Sequence, residues 1–147
     1  MTTYTVDRIK DIDDIDGELA FFLTEEAKNI QKMFDDKYDL NKFDFLRYAR
    51  NNLFLVCRRN KKTVGVLMAA HFFSGIDQSV KILSQQLLYV KRPAGRAAYT
   101  LMQHFIDFGK LNADHVITMI GANTNIKPRS LEKLGFNKIE ELYRMET

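Results

Sequence analysis

The segment LLYVKRPAGRAAYTLMQHFIDFGK, Leu87 to Lys110, constrains this chain more than any other. An apolar strand crosses five residues, Lys91 to Gly95, holding two positive charges, a Pro and a Gly, and then starts a helix on small alanines. Ala98, Leu101, Met102, Phe105 and Phe108 or Gly109 follow at helical spacing on one side. The end of a strand therefore meets the start of a helix, where unpaired backbone N–H groups and the helix dipole both favour an anion. Gly95, Ala97 and Ala98 lack bulk and let a pyrophosphate approach the backbone, and Arg92 and Arg96 can add charge-assisted hydrogen bonds. A plain connection uses the same ingredients. A nucleoside-triphosphate loop is excluded, because no Gly-Lys-Ser/Thr follows.

The rest of the chain alternates between the helix and strand periods. TYTVDRI supports a short strand over Tyr4 to Ile9. Leu19, Phe22, Leu23, Ala27, Ile30 and Phe34 recur at three- and four-residue steps, which predicts an amphipathic helix capped by Asp16. A shorter helix is expected over about Lys42 to Arg50. LFLVC (Leu53 to Cys57) and TVGVLMAAHFF (Thr63 to Phe73) are rich in β-formers and flank RRNKK, the pattern of an antiparallel hairpin around a solvated basic turn. In VKILSQQLLYV, Val80 to Val90, alternation puts Ile82, Ser84, Gln86, Leu88 and Val90 on one face of a third strand. HVITMI, His115 to Ile120, is a short β-branched strand and GANTN a turn. Pro128 suits the first turn of a last helix, PRSLEKL, which Gly135 ends from a left-handed position. FNKIEELYRM closes the chain as a strand, giving the order β-α-α-β-β-β-α-β-α-β.

A length of 147 residues fits one domain, 1–147, of α/β (α+β) class. With 46% hydrophobic and 28% charged residues, general disorder is excluded. The longest apolar run, VGVLMAAHFF, falls far below the ~20 residues of a membrane span, so no membrane partner is expected. MTTYTVDRIKDIDDID has no secretory leader pattern, and the lone Cys57 excludes an intrachain disulfide, so a cytoplasmic location is expected. Cys57 lies in an apolar run and reads as strand core. Residues 1–46 carry six Lys/Arg against twelve Asp/Glu, a balance of −6, and residues 47–147 sixteen against seven, a balance of +9. The basic part favours an anionic ligand: a nucleotide, a phosphorylated cofactor or nucleic acid. RRNKK reads as a charged turn, so nucleic acid is not the expected partner. His104 and His115 read as structural or surface residues, and no spacing of His, Cys, Asp and Glu suggests a metal.

The order of elements, the YV-loop-GRAA segment (Tyr89 to Ala98) and LEKLGF (Leu131 to Phe136) resemble the GNAT superfamily of acetyl-coenzyme A dependent N-acyltransferases over most of the chain. GRAA, the NTN before the last helix and the late Tyr143 are similar to GNAT proteins encoded by bacteriophages, which would place the protein in a host cytoplasm. The resemblance implies a mixed, mostly antiparallel central sheet flanked by helices. In that fold the strand before the loop splays from its neighbour, and coenzyme A lies in the opening. The acetyl and pantetheine contacts then fall on backbone groups of Leu88, Tyr89 and Val90, and the pyrophosphate on Gly95, Arg96, Ala97 and Ala98. A backbone N–H near Leu88 would stabilise the developing oxyanion, and Asn123 or Asn125 would reach the pantetheine arm. RPAGRA, Arg92 to Ala97, matches the family motif R/Q-x-x-G-x-G/A literally, whereas the apolar register of the helix puts Ala98 at the last small position. Both alignments stand, and they differ on which Arg touches phosphate.

Two family features are missing. Leu131 stands where many members carry a Tyr that protonates the leaving thiolate, and Ser84 to Gln86 stand where some carry a Glu base. Gln86 acting through water, His71 or solvent remain as bases, and Tyr143 as the acid. Their plainer roles are a strand amide, a partly buried histidine and packing on the last strand. The implied activity is transfer of acetyl from acetyl-coenzyme A to a primary amine, on a small molecule or a protein, without a metal. The alternative is a catalytically silent GNAT-fold binding or structural protein, such as a phage virion component or a host-interacting factor. Acidic stretches near the amino terminus, DIDDIDGE among them, favour a cationic acceptor, and the resemblance is compatible with a homodimer.

Overall fold

The computed structural model describes residues 2–33, 39, 44–93, 95–118, 126–139 and 145. Among these residues the sheet comprises β1 (Tyr4–Arg8), β2 (Leu53–Arg59), β3 (Lys62–Phe73), β4 (Lys81–Val90) and β5 (His115–Ile117), side by side in that order. The first four pair antiparallel, and β5 lies parallel to β4. The α-helices among the described residues are α1 (Gly17–Glu25), α2 (Ala27–Gln31), α3 (Phe45–Asn51), α4 (Ala97–Asn112) and α5 (Pro128–Lys133). This is the mixed, mostly antiparallel α+β arrangement that the family resemblance implies.

Both faces of the sheet are covered, which explains why LFLVC is buried without alternation. Leu53, Leu55 and Cys57 join Leu67, Leu83 and Leu88 under Leu101, Met102 and Phe105 of α4. Phe54 and Val56 point the other way, to Val66, Met68 and Leu87 under Leu19, Phe22, Ile30 and Ala49 of α1 to α3. The strands of the hairpin extend into RRNKK, leaving only Asn60 and Lys61 as the turn. Both have positive φ, 51° and 73°, as a two-residue hairpin turn that follows the strand twist requires.

Three local features differ from the sequence pattern. The first helical stripe forms two helices, α1 and α2, interrupted at Glu26 (φ −96°, ψ 5°). Asp16 caps α1 as expected, accepting from Leu19 N at 2.8 Å, and Asp44 caps α3, accepting from Arg47 N at 3.0 Å. In β4 the register against β3 slips between Met68↔Leu87 and Ala69↔Gln85, so Gln86 is the extra residue of a β-bulge. The single face predicted for Ile82 through Val90 is therefore two. Leu83 and Leu88 reach α4, whereas Leu87 and Tyr89 reach the α1–α3 side. At the other end, α5 closes as expected on Gly135 (φ +99°). Phe136 N donates to Leu131 O and Gly135 N to Glu132 O, both at 3.0 Å, the paired bonds of a Schellman cap. Residues 136–139 have no regular secondary structure, and the remainder of the expected last strand lies almost wholly outside the described residues.

Candidate functional site

The loop after β4 is fastened from two sides. Lys91 N donates to Val64 O at 2.8 Å, and the Arg59 guanidinium donates to Pro93 O at 2.9 Å across a cis Arg92–Pro93 bond. Gly95 has φ +56°, and a Cβ there would lie 2.2 Å from the Tyr4 hydroxyl. The bulk that Gly95 lacks would meet Tyr4, so this contact requires a glycine there as well as its φ does. The same hydroxyl accepts from Arg96 N at 3.3 Å, so the Arg96 backbone donor is already engaged. Arg96 is the N-cap of α4 and supplies no side-chain cap bond. The first-turn amides of Ala97 and Ala98 thus begin a 16-residue helix without a side-chain cap, the arrangement that attracts an anion. Ala97 is buried and Ala98 half-buried, whereas Arg92 is exposed and so is Arg96, whose guanidinium lies 5.6 Å from the Tyr99 ring centre. Arg92 and Arg96 thus both remain available as cations beside this helix start.

Along β4, pairing with β5 covers only Ile82–Ser84 against His115–Ile117. The next contact is between side chains: the Thr118 hydroxyl donates to Gln85 Oε1, and Gln85 is buried. From Leu87 to Val90, β4 pairs with β3 alone among the described residues. Among the described residues, this β4 edge has no further strand partner, and it leads directly into the uncapped start of α4. The bulge sits at the beginning of this edge and aims the exposed Gln86 toward α3, where Tyr48 OH donates to Gln86 Oε1 at 2.7 Å. Burial raises the Tyr48 pKa, so the hydroxyl stays protonated and able to donate at neutral pH.

Glu26 ties the helices to the other end of the same edge. Its carboxylate is buried and accepts from Asn29 Nδ2 and Tyr89 OH, each at 2.7 Å, with Lys91 Nζ 3.2 Å away. Burial alone pushes this carboxyl up, but the bonds from Asn29, Tyr89 and Lys91 more than offset it and hold it below the usual range. Tyr89 shifts oppositely: burial, and then the bond to Glu26, push it up to about 12. Of the residues expected at the site, the structure thus gathers Gln86, Leu88, Tyr89, Val90, Arg92, Gly95, Arg96, Ala97 and Ala98 along one edge and its loop. His71 is elsewhere: its ring packs on Phe108 of α4, on the face of the sheet opposite the Gln86–Tyr48 pair. Tyr143, Asn123 and Asn125 lie outside the described residues. Leu131 is buried in the core beneath α4.

Sequence reasoning missed Tyr48, Gln85 and Glu26. Glu26 had a signal, since it occupies the apolar stripe between Phe22 and Ile30 at the i+4 step from each. Tyr48 and Gln85 had none, because their partners Gln86 and Thr118 are more than 30 residues away in the chain. The acidic amino-terminal region is also partly neutralised. Arg58 lies 3.1 Å from Asp7, 3.2 Å from Asp16 and 3.5 Å from Glu18, and Arg50 pairs with Asp11 at 2.9 Å. Among the described residues no three His, Cys, Asp or Glu side chains converge as metal ligands, and no helix is long and apolar enough to cross a membrane.

No family model and no curated protein matches this chain by sequence. Solved structures match it over nearly its whole length. A transcriptional regulator from Bacillus halodurans superposes with a TM-score of 0.71 at 15% identity, covering 99% of this chain and 100% of that one. The ribosomal-protein-alanine N-acetyltransferase of Brucella melitensis biovar Abortus gives 0.68 at 14% identity, with 99% and 98% covered. A predicted acetyltransferase with acetyl-CoA from Clostridium acetobutylicum gives 0.64 at 12% identity, with 99% and 96% covered. At these identities the likeness is one of fold: the chain has the fold of the GNAT acetyltransferases.

Proposed function

We propose that this protein transfers an acetyl group from acetyl-coenzyme A to a primary amine on a small molecule or a protein. The observation that carries the proposal is the continuity of the Leu87–Val90 edge with the uncapped start of α4, in a fold shared with acetyltransferases. Extended amide groups of a pantetheine arm match a strand edge, and a pyrophosphate matches a helix start flanked by Arg92 and Arg96. Acetyl-coenzyme A would supply the thioester. Backbone groups of Leu88 to Val90 bind its arm, with a Leu88 N–H placed for the carbonyl oxygen. Amides of Ala97 and Ala98 and the Arg92 and Arg96 side chains take the phosphates, Gly95 keeps the turn, and Asn123 and Asn125 remain candidates for the arm. Gln86, held by Tyr48, accepts a hydrogen bond from the incoming amine and orients its lone pair; the amine proton leaves to solvent. Orientation of a neutral amine against a thioester supplies much of the acceleration, so the absence of a carboxylate base lowers the rate without abolishing it. His71, on the other face, has no part in this arrangement, while Tyr143 remains the proposed proton donor to the thiolate.

Calorimetric titration with acetyl-coenzyme A tests the reading, alongside thermal unfolding and Arg96→Glu. Saturable binding is expected, adding roughly 2.7 kcal/mol to stability at 100 times the dissociation constant, and weakened at least tenfold in the variant. Binding followed by acetylation in a screen of primary amines establishes the enzyme. Binding without turnover favours a catalytically silent protein of the same fold, a reading motivated by Leu131 and Gln86 standing where the acid and base would be. No binding at high micromolar concentration refutes the proposal.

A further inference from the structure

The opposite end of the sheet presents a second basic cluster that the proposed acetyl transfer does not use. Arg8, at the end of β1, shares the α4-facing side with Tyr4 and Val6, and its guanidinium lies 4.7 Å from the Phe108 ring centre. The His71 ring packs on the same Phe108 at 5.7 Å between centres. Arg8 Nε and His71 Nδ1 are both buried and have no hydrogen-bond partner among the described residues. Lys81 is on the same side of β4, since it pairs with Phe73, two residues on from His71. Burial, then Lys81, then Arg8 hold the His71 pKa below its usual value. The neighbouring carboxylate of Asp114 is occupied by the backbone, accepting from Lys81 N at 2.8 Å. On β3, His71 N donates to Asn52 Oδ1 at 3.2 Å, which leaves the ring unaffected.

The Arg8 guanidinium over the Phe108 ring, the Lys81 charge on the same side of the sheet and a neutral His71 ring with an unpartnered Nδ1 all gain from the same guest, an anion. We infer that Arg8, His71 and Lys81 form a binding site for an organic carboxylate with an apolar body, either a free acid or a peptide carboxyl terminus. The Arg8 guanidinium, 4.7 Å from the Phe108 ring centre, offers a fork suited to a carboxylate, and the His71 ring adds a second hydrogen-bonding group. The apolar body has a surface to rest on: Phe73 follows His71 on the same face of β3 and is 60% exposed. Phe108 lies eleven residues along α4 from Ala97, about 16 Å at 1.5 Å per residue. The site is thus separate from the phosphate loop and independent of the acetyl-transfer reading.

The test follows the His71 ring protons by NMR in the full chain, assigned with His71→Asn, as probes are added at pH 7. N-acetyl-leucine and the peptide acetyl-Ala-Ala-Leu carry the carboxylate, N-acetyl-leucinamide lacks it, and inorganic phosphate is a plain anion. Expected are a saturable shift with a carboxylate probe, an upward move of the His71 pKa on binding, and at least tenfold weaker binding of the amide and of phosphate. A preference for the peptide identifies a carboxyl terminus as the natural ligand, and a preference for N-acetyl-leucine a free acid. Arg8→Gln abolishes the effect and Lys81→Gln, at the rim, weakens it several-fold, while Arg96→Glu leaves it unchanged. The inference is overturned if neither carboxylate perturbs His71, if acid and amide act alike, if phosphate binds as well, or if a folded Lys81→Gln or Arg8→Gln responds like the native chain.

Discussion

Gly95→Ala probes the fastening of the loop that leads into α4, and its cost depends on a residue 91 positions earlier in the chain. Two penalties are expected. Holding alanine at the φ of +56° costs about 1–2 kcal/mol, because Cβ crowds the backbone in the left-handed region. The new Cβ would also sit 2.2 Å from the Tyr4 hydroxyl, forcing the ring aside and breaking its 3.3 Å bond from Arg96 N, worth about 0.5–1.5 kcal/mol. Roughly 2–3 kcal/mol is expected in all. In a Tyr4→Phe background the hydroxyl is gone, and the nearest remaining ring atom is 3.4 Å from the Cβ position, an ordinary contact. Only the backbone penalty then remains. Urea unfolding of the four proteins completes a double-mutant cycle with an expected coupling of about 1 kcal/mol, read from midpoints at constant m. Equal cost of Gly95→Ala in both backgrounds would refute the steric part of the argument, and no cost in either would refute the left-handed conformation itself.

Glu26 gives the fold an acid-sensitive element: its folded pKa lies below the ordinary value of 4.5, so its contribution is complete above that value and is lost as pH falls through the folded one. Glu26→Gln should cost about 1.5–3 kcal/mol at neutral pH and flatten the stability profile below pH ~4.5; an unchanged acid slope would disprove this role. Burial pushes the Cys57 thiol up to about 11, so iodoacetamide at pH 8 should label it only after unfolding in urea, and labelling of the folded chain at the rate of a free thiol would contradict its position.

Local signals were legible wherever a residue's role is set by its near neighbours in sequence. Asp16 before an apolar stripe, Asn60 in a basic turn and Gly135 after LEKL each behave as their local chemistry dictates. Legibility ends where a role depends on pairing across the sheet. Strict alternation through VKILSQQLLYV predicts one face for Gln86 and Leu88, yet the bulge separates them, because the long strand β3 fixes the register on both sides of Gln86. That separation has a chemical consequence. Without the bulge, a side chain at position 86 would point under α4 with Leu88; with it, the amide turns toward α3 and meets Tyr48. In the proposed reaction, an amide stands where some members of the resembled family carry a carboxylate base, and the bulge directs it toward α3. Gln86 in that position can orient an amine without titrating, which predicts for the proposed acetyl transfer a rate that rises with pH as the amine itself deprotonates. Gln86→Glu should then add a second, enzyme-borne ionisation to the profile, and a profile identical to the native one would mean that the bulge does not aim residue 86 at the reacting amine.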